Sequence, residues 1–141
     1  MTPINPEVVT RLLTEMEQAV GKLNVLSSLS QDEFLSDSKY YDSAKYNLIV
    51  AVESLIDLCN HIIAQKRLGK PEDYGDILRI AGKELTLNAD FIKSLEKMAK
   101  FRNLIVHLYW KTDNAEVYNI LKNNLGDFDK IKKSLQEYLT R

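Results

Sequence analysis

Cysteine occurs once in the 141-residue chain, at Cys59, so neither an intramolecular disulfide framework nor a cysteine-built zinc cluster is available. Proline occurs three times and glycine five times. So little turn punctuation favours long helices over a turn-rich β architecture. Neither sign of charge dominates, with 19 Lys and Arg against 20 Asp and Glu and a net charge of −1. That balance excludes a polybasic protein that coats nucleic acid over its whole surface, but leaves a local basic groove open. The longest purely apolar run, Leu48 to Val52, is far too short to cross a bilayer. Residues Met1 to Glu7 lack a basic segment leading into an apolar one, so no secretory signal is expected. The expectation is a soluble cytoplasmic protein with no membrane partner, forming one domain over residues 1–141.

What is present is helical periodicity. Asn5-Pro6 reads as a cap followed by proline in the first helical position. Val8, Leu12, Leu13, Met16, Val20, Leu23 and Leu26 then recur at three- and four-residue steps, which predicts a helix to about Leu29. Ser30-Gln31-Asp32-Glu33 has the form of a capping box. A long helix is expected from Ser38 to about Leu68, with its stripe at Tyr41, Ala44, Leu48, Val52, Leu55, Ile56, Cys59, Ile62 and Ile63. Gly69 and Pro71 should stop it. A short helix from Asp73 to Ile80, closed by Gly82, comes next. Asn88 caps another, carrying Phe91, Leu95, Met98, Phe101 and Ile105; Asp113 or Asn114 caps one through Leu121. Gly126-Asp127 separates a last helix bearing Phe128, Ile131, Leu135 and Leu139. With no alternating strand pattern, the fold class is an all-α bundle of about five or six helices.

The segment Phe101 to Trp110 differs from the rest because it sets an Arg, an Asn, a His and a Tyr among apolar residues. On a helical wheel of about 100° per residue with Arg102 at zero, Phe101, Leu104, Ile105 and Leu108 fall between about 200° and 300° and should face the core. Arg102, Asn103, Val106 and His107 lie between about 0° and 140°, with Tyr109 just beyond Arg102, free to line a groove. Lys93, Lys100 and Lys111 project beside His107 and form a basic flank suited to a polyanion. Arg102 and His107 stand about 7.5 Å apart along a straight helix axis and about 140° apart around it.

These residues permit a limited chemistry. There is no H-E-x-x-H, G-x-S-x-G or P-loop motif, and no cofactor or metal is expected. A histidine works as a general base or acid near neutral pH. A neighbouring arginine binds phosphate in two-point geometry and stabilises charge on a pentacoordinate phosphorus. Together they could cleave RNA without metal: the 2′-hydroxyl is deprotonated, attacks the adjacent phosphodiester and displaces the 5′-oxygen. One His does not easily serve as both base and acid, and a symmetric dimer would bring a second copy to the cleft. Against this stands the simpler reading, in which one Arg and one His on a helix are surface or capping residues.

Arg102-Asn103-Leu104-Ile105-Val106-His107-Leu108-Tyr109 matches R-N-x-x-V-H-x-Y and resembles the pattern of HepT-like toxins of the HEPN superfamily. The similarity runs from about Tyr40 to Leu139. It takes in Tyr46, Glu53 and Ile56-Asp57-Leu58 on the long helix, the Gly69-Lys70-Pro71 break with Tyr74 after it, and Met98-x-x-Phe101. The resemblance implies an RNase toxin of a type II- or VII-like toxin–antitoxin pair, built as a HEPN-like bundle in a symmetric homodimer with both motifs at the two-fold cleft. It also implies an antitoxin that is a minimal nucleotidyltransferase and neutralises the toxin by AMP transfer. On that basis Arg102 stabilises the phosphate, His107 is base or acid, Asn103 orients substrate or the histidine, and Tyr109 accepts AMP. Many relatives carry an acidic residue where this chain has Leu108, which puts any antitoxin contact by that residue in doubt.

Other residues carry blander readings. Asp57 and His61 have the spacing of half a metal site, but no further ligands converge in sequence. Cys59 lies on the apolar stripe and reads as a small core residue. Glu53 is either a buried partner for Arg102, which is favoured, or a solvated charge. Tyr40, Tyr41 and Tyr46 read as core or rim, and Lys130, Lys132 and Lys133 as the solvated face of the last helix. Three functions compete: the endoribonuclease, a non-catalytic helical partner that holds nucleotide or substrate for a nucleotidyltransferase, and a purely structural dimer.

Overall fold

Asn5 caps the first helix as its sequence predicts: its side-chain oxygen accepts from the Glu7 amide at 2.9 Å and Pro6 follows as the first helical residue. The structure is a computed structural model that describes residues 4–140. Among them lie seven α-helices, one short 3-10 turn and no strand. The helices are α1 (Pro6–Ser27), α2 (Gln31–Ser36), α3 (Ser38–Lys66), α4 (Tyr74–Glu84), α5 (Ala89–His107), α6 (Asn114–Asn123) and α7 (Gly126–Leu139); the 3-10 turn is Tyr109–Lys111. The all-α class stands. The helix count exceeds the expected five or six because the Ser30 capping box opens a helix of its own, its hydroxyl accepting from the Glu33 amide at 3.2 Å.

The centre of the bundle is α3, which packs against α1, α2, α4, α5 and α6. Its apolar stripe from Ala44 to Ile63 is buried as the periodicity predicts, each large side chain contributing about 1.5–3 kcal/mol of hydrophobic stabilisation. An 18-residue window of α3 has mean hydropathy 1.4, long and apolar enough to cross a membrane, yet 61% of that window is buried inside the fold. Neighbouring helices cover its apolar surface. The helix ends at Arg67, two residues ahead of the expected Gly69 stop. Arg67 takes the left-handed conformation (φ 54°, ψ 49°) and Leu68 N–H returns to the Ile63 carbonyl at 3.0 Å. Gly69, with φ 146°, shapes the turn that follows.

Gly82 does not close α4, which continues to Glu84. Its role is close approach: a Cβ there would lie 2.7 Å from Cδ1 and Cγ1 of Ile92 on α5. Gly82→Ala is expected to lower stability by about 1–2 kcal/mol, because the overpacking outweighs the helix propensity gained. A raised thermal midpoint would contradict this. On the far side of that contact Asn88 caps α5, accepting from the Asp90 amide at 2.7 Å and the Phe91 amide at 3.4 Å. The α4–α5 contact and this cap together fix the path of the helix that carries the polar motif.

Candidate functional site

The buried residues of α5 are Leu95, Met98, Ala99, Arg102 and Ile105. They span about 300° to 60° on the wheel, so the core face is centred on Arg102 itself. This corrects the expected core quartet. Ile105 is buried and Phe101 half-buried, but Leu104 and Leu108 are exposed, and Arg102 lies against the core rather than in an open groove. Leu104 and Leu108 lie at the surface near the helix C-terminus, and counting them as core turned the predicted face away from Arg102.

A buried guanidinium needs partners. Arg102 is 9% exposed, and its Nη2 is paired with the Glu53 carboxylate on α3. Nη1 donates to Asn103 Oδ1 at 2.9 Å, and the guanidinium carbon lies 5.3 Å from the Tyr74 ring centroid. Nε is buried with no hydrogen-bond partner among the described residues. Burial pushes the Arg102 pKa below the usual arginine value, though an arginine this well paired stays a cation. Asn103 Oδ1 thus accepts from Arg102, and no hydrogen bond joins Asn103 to His107 among the described residues.

His107 is the last residue of α5 and is exposed. The structure therefore places Arg102 and His107 on different faces of one helix, the first against the core and the second at the surface. The helix does not run on to Tyr109. Leu108 leaves helical geometry (φ −134°, ψ 49°), its amide donating to the Leu104 carbonyl at 2.8 Å, and a 3-10 turn begins. Lys111 N–H closes that turn on the Leu108 carbonyl at 2.9 Å.

That break turns Tyr109 onto α3. Its hydroxyl donates to Asp42 Oδ1 at 2.5 Å, and Lys45 Nζ lies 4.2 Å from its ring centroid. Lys45 is only 3% exposed and also lies 5.6 Å from the Tyr41 ring centroid. Burial, then the hydrogen bond and negative charge of Asp42, then Tyr41, push the Tyr109 phenol well above its ordinary value. Burial lowers the Lys45 pKa, an effect that the Asp42 charge opposes. Sequence reasoning missed Asp42 and Lys45. Their i, i+3 spacing puts them on one face of α3, but only the tertiary fold reveals a tyrosine 67 residues onward.

Among the described residues, five of the eight exposed large apolar side chains fall between Leu104 and Trp110, with Trp110 77% exposed. Tyr46 is also exposed, whereas Tyr40 and Tyr41 are half-buried as expected of rim residues. Lys93, Lys100 and Lys111 are all exposed. Lys93, Lys100 and His107 share a heptad stripe on α5, with Lys93 about 21 Å along the axis from His107. Lys111 sits in the 3-10 turn, outside that stripe.

The remaining candidates have structural partners. His61 Nε2 accepts from the Asn5 amide at 3.2 Å. Among the described residues no group of three or more His, Cys, Asp or Glu converges. Cys59 is buried, and burial pushes its thiol up to about 12, which leaves no thiolate nucleophile at neutral pH. On α7, Lys132 pairs with Glu17 at 2.8 Å and Lys130 lies 5.7 Å from the Phe91 ring centroid, so two of the three lysines read as a solvated face make contacts.

This architecture and motif recur in known proteins. The chain matches the family described as Ribonuclease HepT-like over residues 16–135. It is 30% identical over 97 residues to the mRNA nuclease HepT of Shewanella oneidensis, covering 69% of this chain and 73% of that protein. It is 22% identical to the tRNA nuclease HepT of Aphanizomenon flos-aquae, covering 99% of this chain and 95% of that one. Among solved structures it is similar to a tri-AMPylated Shewanella oneidensis HEPN toxin in complex with its MNT antitoxin. That match has a TM-score of 0.86 at 22% identity, over 94% of this chain and 99% of the toxin. The Bacillus subtilis cytosolic protein YutE, of unknown function, has the same fold, with a TM-score of 0.84 at 19% identity over 99% of this chain and 93% of that one. With its fold, its R-N-x-x-V-H-x-Y segment and a family match over most of its length, this chain belongs to the HepT-like ribonuclease family.

Proposed function

We propose that the chain is a cytoplasmic endoribonuclease toxin that cleaves RNA without a metal ion, and that AMP transfer to Tyr109 by a minimal nucleotidyltransferase antitoxin silences it. The observation that carries this reading is the end of α5, where a core-anchored Arg102, an exposed His107 and the Tyr109 turn follow within eight residues. His107 takes the proton from a ribose 2′-hydroxyl, whose oxygen attacks the adjacent phosphorus. The bond from phosphorus to the 5′-oxygen breaks, and the departing oxygen takes up a proton. The products are a 2′,3′-cyclic phosphate and a 5′-hydroxyl. Arg102, held by Glu53 and Asn103, offers its cationic edge to the phosphate as charge builds on the oxygens. Lys93, Lys100 and Lys111 draw in the RNA backbone.

A second His107, needed as the acid, comes from a second copy of the chain. The exposed apolar residues Leu104, Val106, Leu108 and Trp110 flank His107 in sequence and suit a two-fold contact that brings two such histidines together. The named relatives support RNA as substrate and the antitoxin-bound structural neighbour supports the partner. An adenylyl phosphate on Tyr109 adds negative charge beside the RNA path and repels the backbone.

Purified protein incubated with total RNA in a chelating buffer tests this. Cleavage that persists and leaves cyclic phosphate ends is expected. Products with 3′-hydroxyl ends, or a requirement for divalent metal, overturn the mechanism. An RNA-binding protein that never cleaves favours the non-catalytic partner instead.

A further inference from the structure

We propose that Asp42 is the general base for adenylyl transfer to Tyr109, and that Lys45 stabilises the charge the phenolic oxygen develops as it reacts. This rests on the reading of Tyr109 as the acceptor, and it assigns the proton transfer to this chain rather than to the partner enzyme.

The hydroxyl of Tyr109 is committed to one group, the Asp42 carboxylate, at 2.5 Å, within the range of short charge-assisted O–H···O⁻ bonds. A general base must lie within hydrogen-bond reach of the proton it takes, and this one already does. The 3-10 turn directs the ring towards α3, while Tyr109 remains 37% exposed, open to an incoming nucleotide. Lys45 is the second observation. It is buried, forms no salt bridge among the described residues, and places its ammonium 4.2 Å from the Tyr109 ring centroid. Burying an amine without a carboxylate contact is costly, and a cation over a phenol ring is held more strongly as the ring gains negative charge.

The groups facing the phenol settle how the proton leaves. From α3 they are Tyr41, Asp42 and Lys45, and from α5 the nearest titratable residue in sequence is His107. The nearby carboxylate and burial hold the phenol protonated before reaction, so no phenolate waits in the site. Proton removal therefore accompanies attack. Tyr109 Oη forms a bond to the α-phosphorus of a nucleoside triphosphate held by the partner. The bond from that phosphorus to the oxygen bridging to the β-phosphate breaks, and pyrophosphate leaves with the electron pair. The phenolic proton passes to Asp42 Oδ1 and from there to water.

The test uses the full chain with its cognate nucleotidyltransferase, ATP and magnesium, with adenylyl increments on Tyr109 followed by mass spectrometry. Asp42→Asn keeps a hydrogen-bond acceptor but accepts no proton, and is expected to slow the first transfer about 100-fold with an unchanged thermal midpoint. Asp42→Ala is expected to regain part of its rate with added formate, a rescue that a purely structural role would not give. Lys45→Met, which keeps the apolar stem, is expected to slow transfer about tenfold. Transfer by Asp42→Asn at the wild-type rate overturns the base assignment and moves the base to the partner. An unchanged rate in Lys45→Met overturns the role given to Lys45. A wild-type chain that takes no adenylyl group, or takes it equally well after Tyr109→Phe, overturns the acceptor reading and this proposal together.

Discussion

His107→Ala is expected to lower RNA cleavage by about 10²–10⁴-fold, the range for losing a positioned acid or base, with stability held within about 0.5 kcal/mol. His107 is the exposed last residue of α5 and makes none of the core contacts, so its removal leaves the fold unchanged. Arg102→Ala is expected to lower cleavage by about 10²–10³-fold, but with a structural cost as well. Initial cleavage rates on a defined RNA, measured beside urea unfolding, separate the two effects. Wild-type cleavage by His107→Ala would remove the histidine from the reaction.

The largest stability effect is expected at Glu53. Glu53→Ala leaves Arg102, whose side chain is 10% exposed, as a buried cation without its carboxylate, and Nε already lacks a partner. Glu53 itself is half-exposed, so water enters where its carboxylate stood, and the loss is expected at about 2 kcal/mol, below that of a fully buried pair. Arg102→Ala is the asymmetric case. The Glu53 side chain is 46% exposed, so water solvates the orphaned carboxylate and the loss is expected near 1 kcal/mol. Glu53→Gln keeps an acceptor for Arg102 and should fall between them. Urea midpoints for the three variants test the order; a smaller loss in Glu53→Ala than in Arg102→Ala would contradict it. Glu53 therefore has two consequences, a stable fold and an arginine held in one place.

Much of this was legible in the sequence because helices announce themselves locally. Asn5, Ser30, Asn88 and Asp113 cap helices by bonds to amides two or three residues on, and such bonds depend only on nearby sequence. The α3 stripe was equally readable, and Glu53 pairs with Arg102 as favoured, although it is half-exposed rather than buried. Three features were not readable, each for a tertiary reason. Gly82 read as a stop because its actual constraint, Ile92 on another helix, is invisible to local punctuation. The core face of α5 was misplaced because Leu104 and Leu108 are apolar but exposed, and periodicity counts an exposed leucine as core. The Tyr109 environment was hidden because helix and 3-10 turn share residue preferences, and the partner residues lie on a helix distant in sequence.

Asp42, Lys45 and Glu53 all project from α3. Asp42 and Glu53 are eleven residues apart, about three full turns, so they point in nearly the same direction about 16 Å apart. One continuous rod thus sets the spacing between the arginine and the tyrosine. Substitutions along its apolar stripe alter stability and leave that spacing intact. Insertion or deletion of a single residue between positions 42 and 53 would instead rotate one end by about 100° relative to the other. A chain altered in that way would keep one of the two contacts and lose the other. If it kept Glu53 beside Arg102, it would lose the contact between Asp42 and Tyr109, and the adenylyl transfer proposed there is expected to slow while RNA cleavage persists.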